Sequence, residues 1–131
     1  MAEAYLEQAM KSLLNSIAPY YNDLAPESQS APFIVGTIIT DNRWRAINGP
    51  SGMTQTTVQV DLYADGIEDR ASYGRQIRQA LDGYRGTVAI GSDTLRIGGI
   101  SLQNQLSFLE DGTDPKLYRL SGDYLVTFEE S

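Results

Sequence analysis

Four carboxylates, Asp61, Asp65, Glu68 and Asp69, fall within nine residues of this 131-residue chain. Grouped oxygens of that kind are what a hard divalent cation takes. Local structure offers a competing use. Asp65-Gly66-Ile67-Glu68 reads as a capping box, with Asp65 as N-cap and Glu68 reaching back, and Asp61 falls at an outward strand position. A second acidic stretch, Asp111-Gly112-Thr113-Asp114, resembles the opening of a calcium loop. It lacks the downstream acidic positions and the bidentate Glu, so it reads as a turn.

The chain contains no histidine and no cysteine. That removes the usual general base near neutral pH, the commonest zinc ligand, thiolate metal sites, disulfides and every Ser-His or Cys-His pair. Catalysis would have to run on carboxylates, Lys or Tyr. Gly91, Gly98 and Gly99 do not precede a helix, so no phosphate cradle or dinucleotide fingerprint is present. Arg70, Arg75 and Arg78 are read as having no aromatic partners of the kind a single-strand binder uses. The expectation is a protein that is not an enzyme and carries no cofactor or metal. Seventeen acidic against ten basic side chains give a net charge of −7. An acidic surface does not wrap a phosphate backbone; it serves solubility, or lets nucleic acid pass without adhering. No apolar run approaches the ~18–20 residues of a membrane span, and the N-terminus shows no basic region or cleavage site of a signal peptide.

The elements that must position these groups follow from periodicity. Tyr5, Leu6, Ala9, Met10, Leu13, Leu14 and Ile17 make one stripe of a helix over residues 2–17, ended by Pro19. A polar connector leads to a nearly continuous apolar strand over 32–39, of the kind covered on both faces. Residues 41–53 read as a projecting loop or hairpin arm. A strand over 56–63 alternates Val58, Val60 and Leu62 with polar residues. A second helix starts at Asp65, presents Ile67, Ala71, Gly74, Ile77, Leu81 and Tyr84 as its apolar stripe, and stops at Gly83. Gly74 in mid-helix suits close approach to a sheet. Short strands follow at 87–90 and 94–102, where a bulge at Gly98-Gly99 would let Leu95, Ile97, Ile100 and Leu102 all face the core. A loop over 104–115 precedes a closing strand over 116–128. The order α-β-(arm)-β-α-β-β-β, with no linker or repeat, predicts one α+β domain over residues 1–131. Its sheet is mixed or mostly antiparallel, with two helices packed on it and a projecting arm.

Large apolar groups in the two long loops are the candidate contacts. Trp44, the only tryptophan, stands between Arg43 and Arg45 in the first loop, with Ile47 and Met53 beyond it. Trp and Arg are enriched at interface hot spots. Leu106, Phe108 and Leu109 occupy the second loop, and Tyr20-Tyr21 follows the first helix. Each group either meets a partner or folds back over its own core. The trio Arg70, Arg75 and Arg78 is a solvated face or a surface for a neighbour's carboxylates.

The stretch Ala80-Leu81-Asp82-Gly83-Tyr84-Arg85-Gly86-Thr87-Val88 resembles the end of the long helix in the tail-completion, or tail-terminator, proteins of long-tailed phages and gene-transfer particles. Ala31-Pro32-Phe33-Ile34-Val35 is similar to that family's first strand, and Thr57-Val58-Gln59-Val60-Asp61-Leu62-Tyr63-Ala64 to the strand before the helix. Leu117-Tyr118-Arg119-Leu120-Ser121-Gly122-Asp123-Tyr124-Leu125-Val126 is similar to its closing strand. The order and spacing of these motifs span nearly the whole chain. The resemblance implies a ring, usually of six copies, on the head-proximal end of a tail tube. Such a ring ends tube growth, gives the head–tail connector or stopper a surface, and lets genomic DNA through its hole without specific binding. It implies a virion location, reached from the host cytoplasm during assembly, with no membrane and no catalytic residues to carry over. Another neck component, such as a head-completion or stopper protein, is the first alternative. A small-molecule-binding regulatory domain with a convergent polar pocket is the second.

Overall fold

A computed structural model describes residues 2–26, 30–39, 53–110 and 117–129, with backbone only for residues 2–5, 53 and 110. Along the chain run α1 (Ala2–Leu14), β1 (Tyr20–Asn22), β2 (Phe33–Ile39), β3 (Met53–Ala64), α2 (Ile67–Leu81), β4 (Gly86–Ile90), β5 (Asp93–Glu110) and β6 (Leu117–Glu129). The six strands form one sheet in the order β1-β2-β3-β6-β5-β4. Only the β1–β2 pair is parallel. The fold is α+β with a mixed sheet, as the sequence pattern predicts.

Alternation decides which face is dry. Val58, Val60 and Leu62 of β3, and Tyr124, Val126 and Phe128 of β6, share one face. There they pack with Leu6, Met10 and Leu14 of α1 and Ile77 and Leu81 of α2. Helix α2 lies over β3, β6 and β5, whereas α1 touches both β1–β2 and β4–β5. A helix of 13 residues is ~20 Å long and six strands are ~24 Å across, so α1 is long enough to brace both margins. At Gly74 α2 lies tight against the sheet: a Cβ there would run into Leu120.

Several boundaries differ from the sequence reading. Helix α1 ends at Leu14, before Ile17, and β1 is an extra strand that exists because Tyr20 pairs with Ile34 in parallel. Gly66, in extended backbone, is the N-cap of α2, with no side-chain cap hydrogen bond, so the Asp65–Glu68 capping box is wrong. The stop at Gly83 holds, with φ at +85°, and Gly91 at +68° makes the tight turn between β4 and β5. β2 is buried on both faces only from Phe33 to Gly36; Ile39 is exposed. The expected bulge holds: the register with β6 shifts between Ile97 and Gly99, Leu95, Ile97 and Ile100 are buried, and Leu102 is half-buried against the same core. A second shift between Leu102 and Asn104 was not anticipated. It restarts the alternation, so residues 104–110 form strand paired with β6 where a loop was expected. The projecting arm lies outside the described residues, except that Met53 opens β3 opposite Glu129.

Candidate interaction surfaces

Both helices occupy one face of the sheet, and the opposite face carries a crosswise row of facing residues. Phe33 faces Tyr63, Tyr63 faces Arg119, and Arg119 faces Phe108, on β2, β3, β6 and β5. The Phe33 and Tyr63 rings stack with centroids 4.8 Å apart. The Arg119 guanidinium lies 5.9 Å from the Tyr63 ring centre and 5.1 Å from that of Phe108. Flat guanidinium groups favour such stacking because they are weakly hydrated across their faces.

Beside this row, Asp61 is the focus of polar contacts. Arg119 donates from Nε and Nη2 to Asp61 Oδ1 at 3.3 and 3.2 Å, and Gln59 Nε2 donates to Oδ2 at 3.0 Å. Asp61 does point to the outer face as expected, yet it is only 5% exposed. A carboxylate that dry is tolerated because its charge is paired and both oxygens accept hydrogen bonds. Asp65, Glu68 and Asp69 are solvent-exposed, and among the described residues no three metal-ligating side chains converge. Asp61 therefore acts in a cross-strand clamp. Arg119 and Asp61 both take outward parities in their strands, but that β3 and β6 are neighbours is a tertiary fact.

A cleft of about 350 Å³ separates α2 from β5 and β6. Ile67, Ala71, Gly74 and Leu120 give it apolar walls, Gln105 and Ser107 line its β5 side, and Arg70, Arg75 and Arg78 surround it. No lining residue is acidic. Arg70 is partly used within the domain: Nη1 donates to the Phe108 carbonyl at 3.0 Å, and the guanidinium lies 5.5 Å from the Tyr118 ring centre. Arg75 and Arg78 are exposed. The predicted stripe of α2 is thus buried only in its second half; Ile67 is 61% exposed and Ala71 is exposed.

The cleft opens beside a free strand edge. β4 pairs with β5 only as far as Ile97. Beyond that, Gly83 N–H donates to Ile100 O, Ile100 N–H to Tyr84 O, and Leu102 N–H to Asp82 Oδ1. Residues 103–110 have no strand on that side among the described residues. Leu106 and Phe108 are exposed on the outer face and Leu109 on the helix face.

Of the sequence-predicted contact residues, the structure groups Arg70, Arg75 and Arg78 with Leu106, Phe108 and Leu109 along this one margin. Arg43, Trp44, Arg45 and Ile47 lie outside the described residues, and Met53 is described only in its backbone. Tyr20, offered as a partner contact, is instead buried against Gly36, and burial pushes its phenol above the usual range, with Glu7 and then Asp23 adding to the effect. Tyr124 is likewise raised to about 12, first by burial and then by Asp82, with Arg78 opposing.

No protein-family model and no curated protein sequence matches the chain. Among solved structures, a chain of the "Virion of native gene transfer agent (GTA) particle" has a similar fold, with a TM-score of 0.68 at 12% identity. The match covers 98% of this chain and 97% of that one, so the two share an architecture from end to end.

Proposed function

We propose that this chain is a structural subunit of a phage-like particle. In this reading it forms a ring, hexameric as the resemblance implies, on the head-proximal end of the tail tube. The ring ends tube growth and offers its free face to the head–tail connector or stopper, and genomic DNA passes through without specific binding. The observation that carries the reading is the near-complete fold match to a chain of a gene-transfer-agent virion. The order of tail-terminator-like motifs along the sequence supports the narrower role. The clustering of six predicted contact residues on one margin fits a protein that works through surfaces rather than catalysis. The net charge of −7 suits an interior that repels a DNA backbone.

A regulatory small-molecule domain would use the α2–β5 cleft. Its charged groups there are three like charges, two of them exposed, and this favours a large acidic surface over an enclosed ligand. The ring reading is tested by deleting the gene from its particle. Tails of irregular, overlong tubes without heads are expected, restored by the protein supplied in trans. Tubes of normal length joined to heads would contradict it.

A further inference from the structure

The α2–β5 cleft and the corner that follows β1 differ in their charged groups. At the β5 margin, Arg70, Arg75 and Arg78 surround a cleft with no acidic lining. At the β1 margin, Asp23 directly follows the strand and is exposed. Next to Asp23 stands Leu24, 82% exposed and the most exposed large apolar side chain among the described residues. Asp23 has a φ of +69° and donates its N–H to Gly36 O, so the chain turns away from the sheet there with Leu24 held outward. The turn that exposes Leu24 is therefore a built corner of the domain.

We infer that the α2–β5 cleft receives the corner at residues 23–24 of a second copy, with Leu24 against Ile67 and Ala71 and Asp23 facing Arg75 and Arg78. A two-fold pairing of cleft with cleft would set the arginines of both copies against each other, and like charges in contact resist that arrangement. A head-to-tail contact uses a different patch on each side and leaves both free ends competent to add further copies. It repeats until a ring closes. The inference rests on the ring reading for its closure, but the contact itself is independent of where the ring sits.

Because the natural chain has no cysteine, the contact is testable by crosslinking. Leu24→Cys and Ala71→Cys replace exposed residues in one chain, which is treated at high concentration with a short bis-maleimide. A ladder of covalent oligomers beyond the dimer is expected, whereas an equimolar mixture of the two single variants should stop at the dimer. Absence of any ladder overturns the inference. A charge exchange provides a second test. Asp23→Lys and Arg75→Glu should each weaken self-association by about tenfold, and the double variant should recover most of that loss. Equal weakening in the double variant overturns the proposed pairing. Electron microscopy of the same samples separates the two ideas. Rings without a ladder would reject this contact and leave the ring reading standing. A ladder of open filaments would keep the contact and reject the ring.

Discussion

The two margins of the sheet are finished in opposite ways. At β1 the chain closes its own edge. The strand is three residues long, Asn15 Oδ1 accepts from Tyr20 N–H at 3.2 Å, and Leu24 N–H donates to Asn22 O at 2.7 Å. The Tyr20 ring lies across Gly36 and seals the corner. At β5 the turn at residues 82–84 closes the edge only through Leu102, and Gln103-Asn104-Gln105-Leu106-Ser107-Phe108-Leu109 then runs with no charge, proline or glycine. Proteins ordinarily guard such an edge with a charge or a proline, because unpaired strands recruit other chains. Here Arg70 brings a charge to the edge at the Phe108 carbonyl, while the side chains of the edge itself, Leu106 and Leu109 among them, stay uncharged and exposed. The same sheet is thus a finished domain at one side and an unfinished one at the other.

The largest effect is expected where the two sides are tied together. The row from Phe33 to Phe108 crosses four strands through Arg119, whose partner Asp61 is 5% exposed. Arg119→Ala leaves that carboxylate dry and unpaired, so thermal or denaturant unfolding should show a loss of about 3 kcal/mol. A loss below about 1 kcal/mol would mean that solvent already compensates the pair. Next comes the closed margin. Gly36→Ala places a methyl group where the Tyr20 ring lies, a rigid group that cannot swing clear. A destabilisation of about 2 kcal/mol is expected, with faster amide exchange at β1 than at β3.

Alkali should act through the buried phenols. Tyr124 titrates at about 12 when folded against 10.0 for a free phenol, and Tyr20 is shifted in the same direction. Above pH 10 the folded state holds the extra protons, so stability is intact below about 10 and falls as pH climbs towards 12. A melting series across that window should show the decline, and Tyr124→Phe should flatten it. The smallest effect on folding belongs to the open margin. Leu106→Lys changes an exposed side chain, so stability should move by no more than about 0.5 kcal/mol while light scattering reports reduced self-association. A large stability loss would mean that Leu106 serves the fold instead.

What the sequence shows of this molecule follows how local each signal is. Val58, Val60 and Leu62 announced β3 because burial on one face repeats every second residue. Gly98-Gly99 announced a bulge because two buried parities met there. β1 left no such trace: three residues cannot show a period, and Tyr20 is drawn into the sheet by Ile34, a distant partner. The second half of β5 read as a loop because its polar residues, Gln103, Asn104 and Gln105, flank an irregularity that resets the alternation. Asp65 looked like a cap, but the chain enters α2 through Gly66, whose extended backbone starts the helix without a side chain's help. Arg70, Arg75 and Arg78 were legible as a surface trio; that they border a cleft depends on Gly74 letting α2 approach Leu120, a tertiary fact.

The proposed ring, in which copies of this domain complete one another, can be looked for in solution. Its most direct test is the mass of the purified full chain in solution, alone and with tail tubes, together with electron microscopy of the same samples. Closed rings with a central hole, six subunits in mass, are expected on one end of each tube. A chain that remains monomeric at every concentration and also leaves both tube ends bare would contradict it.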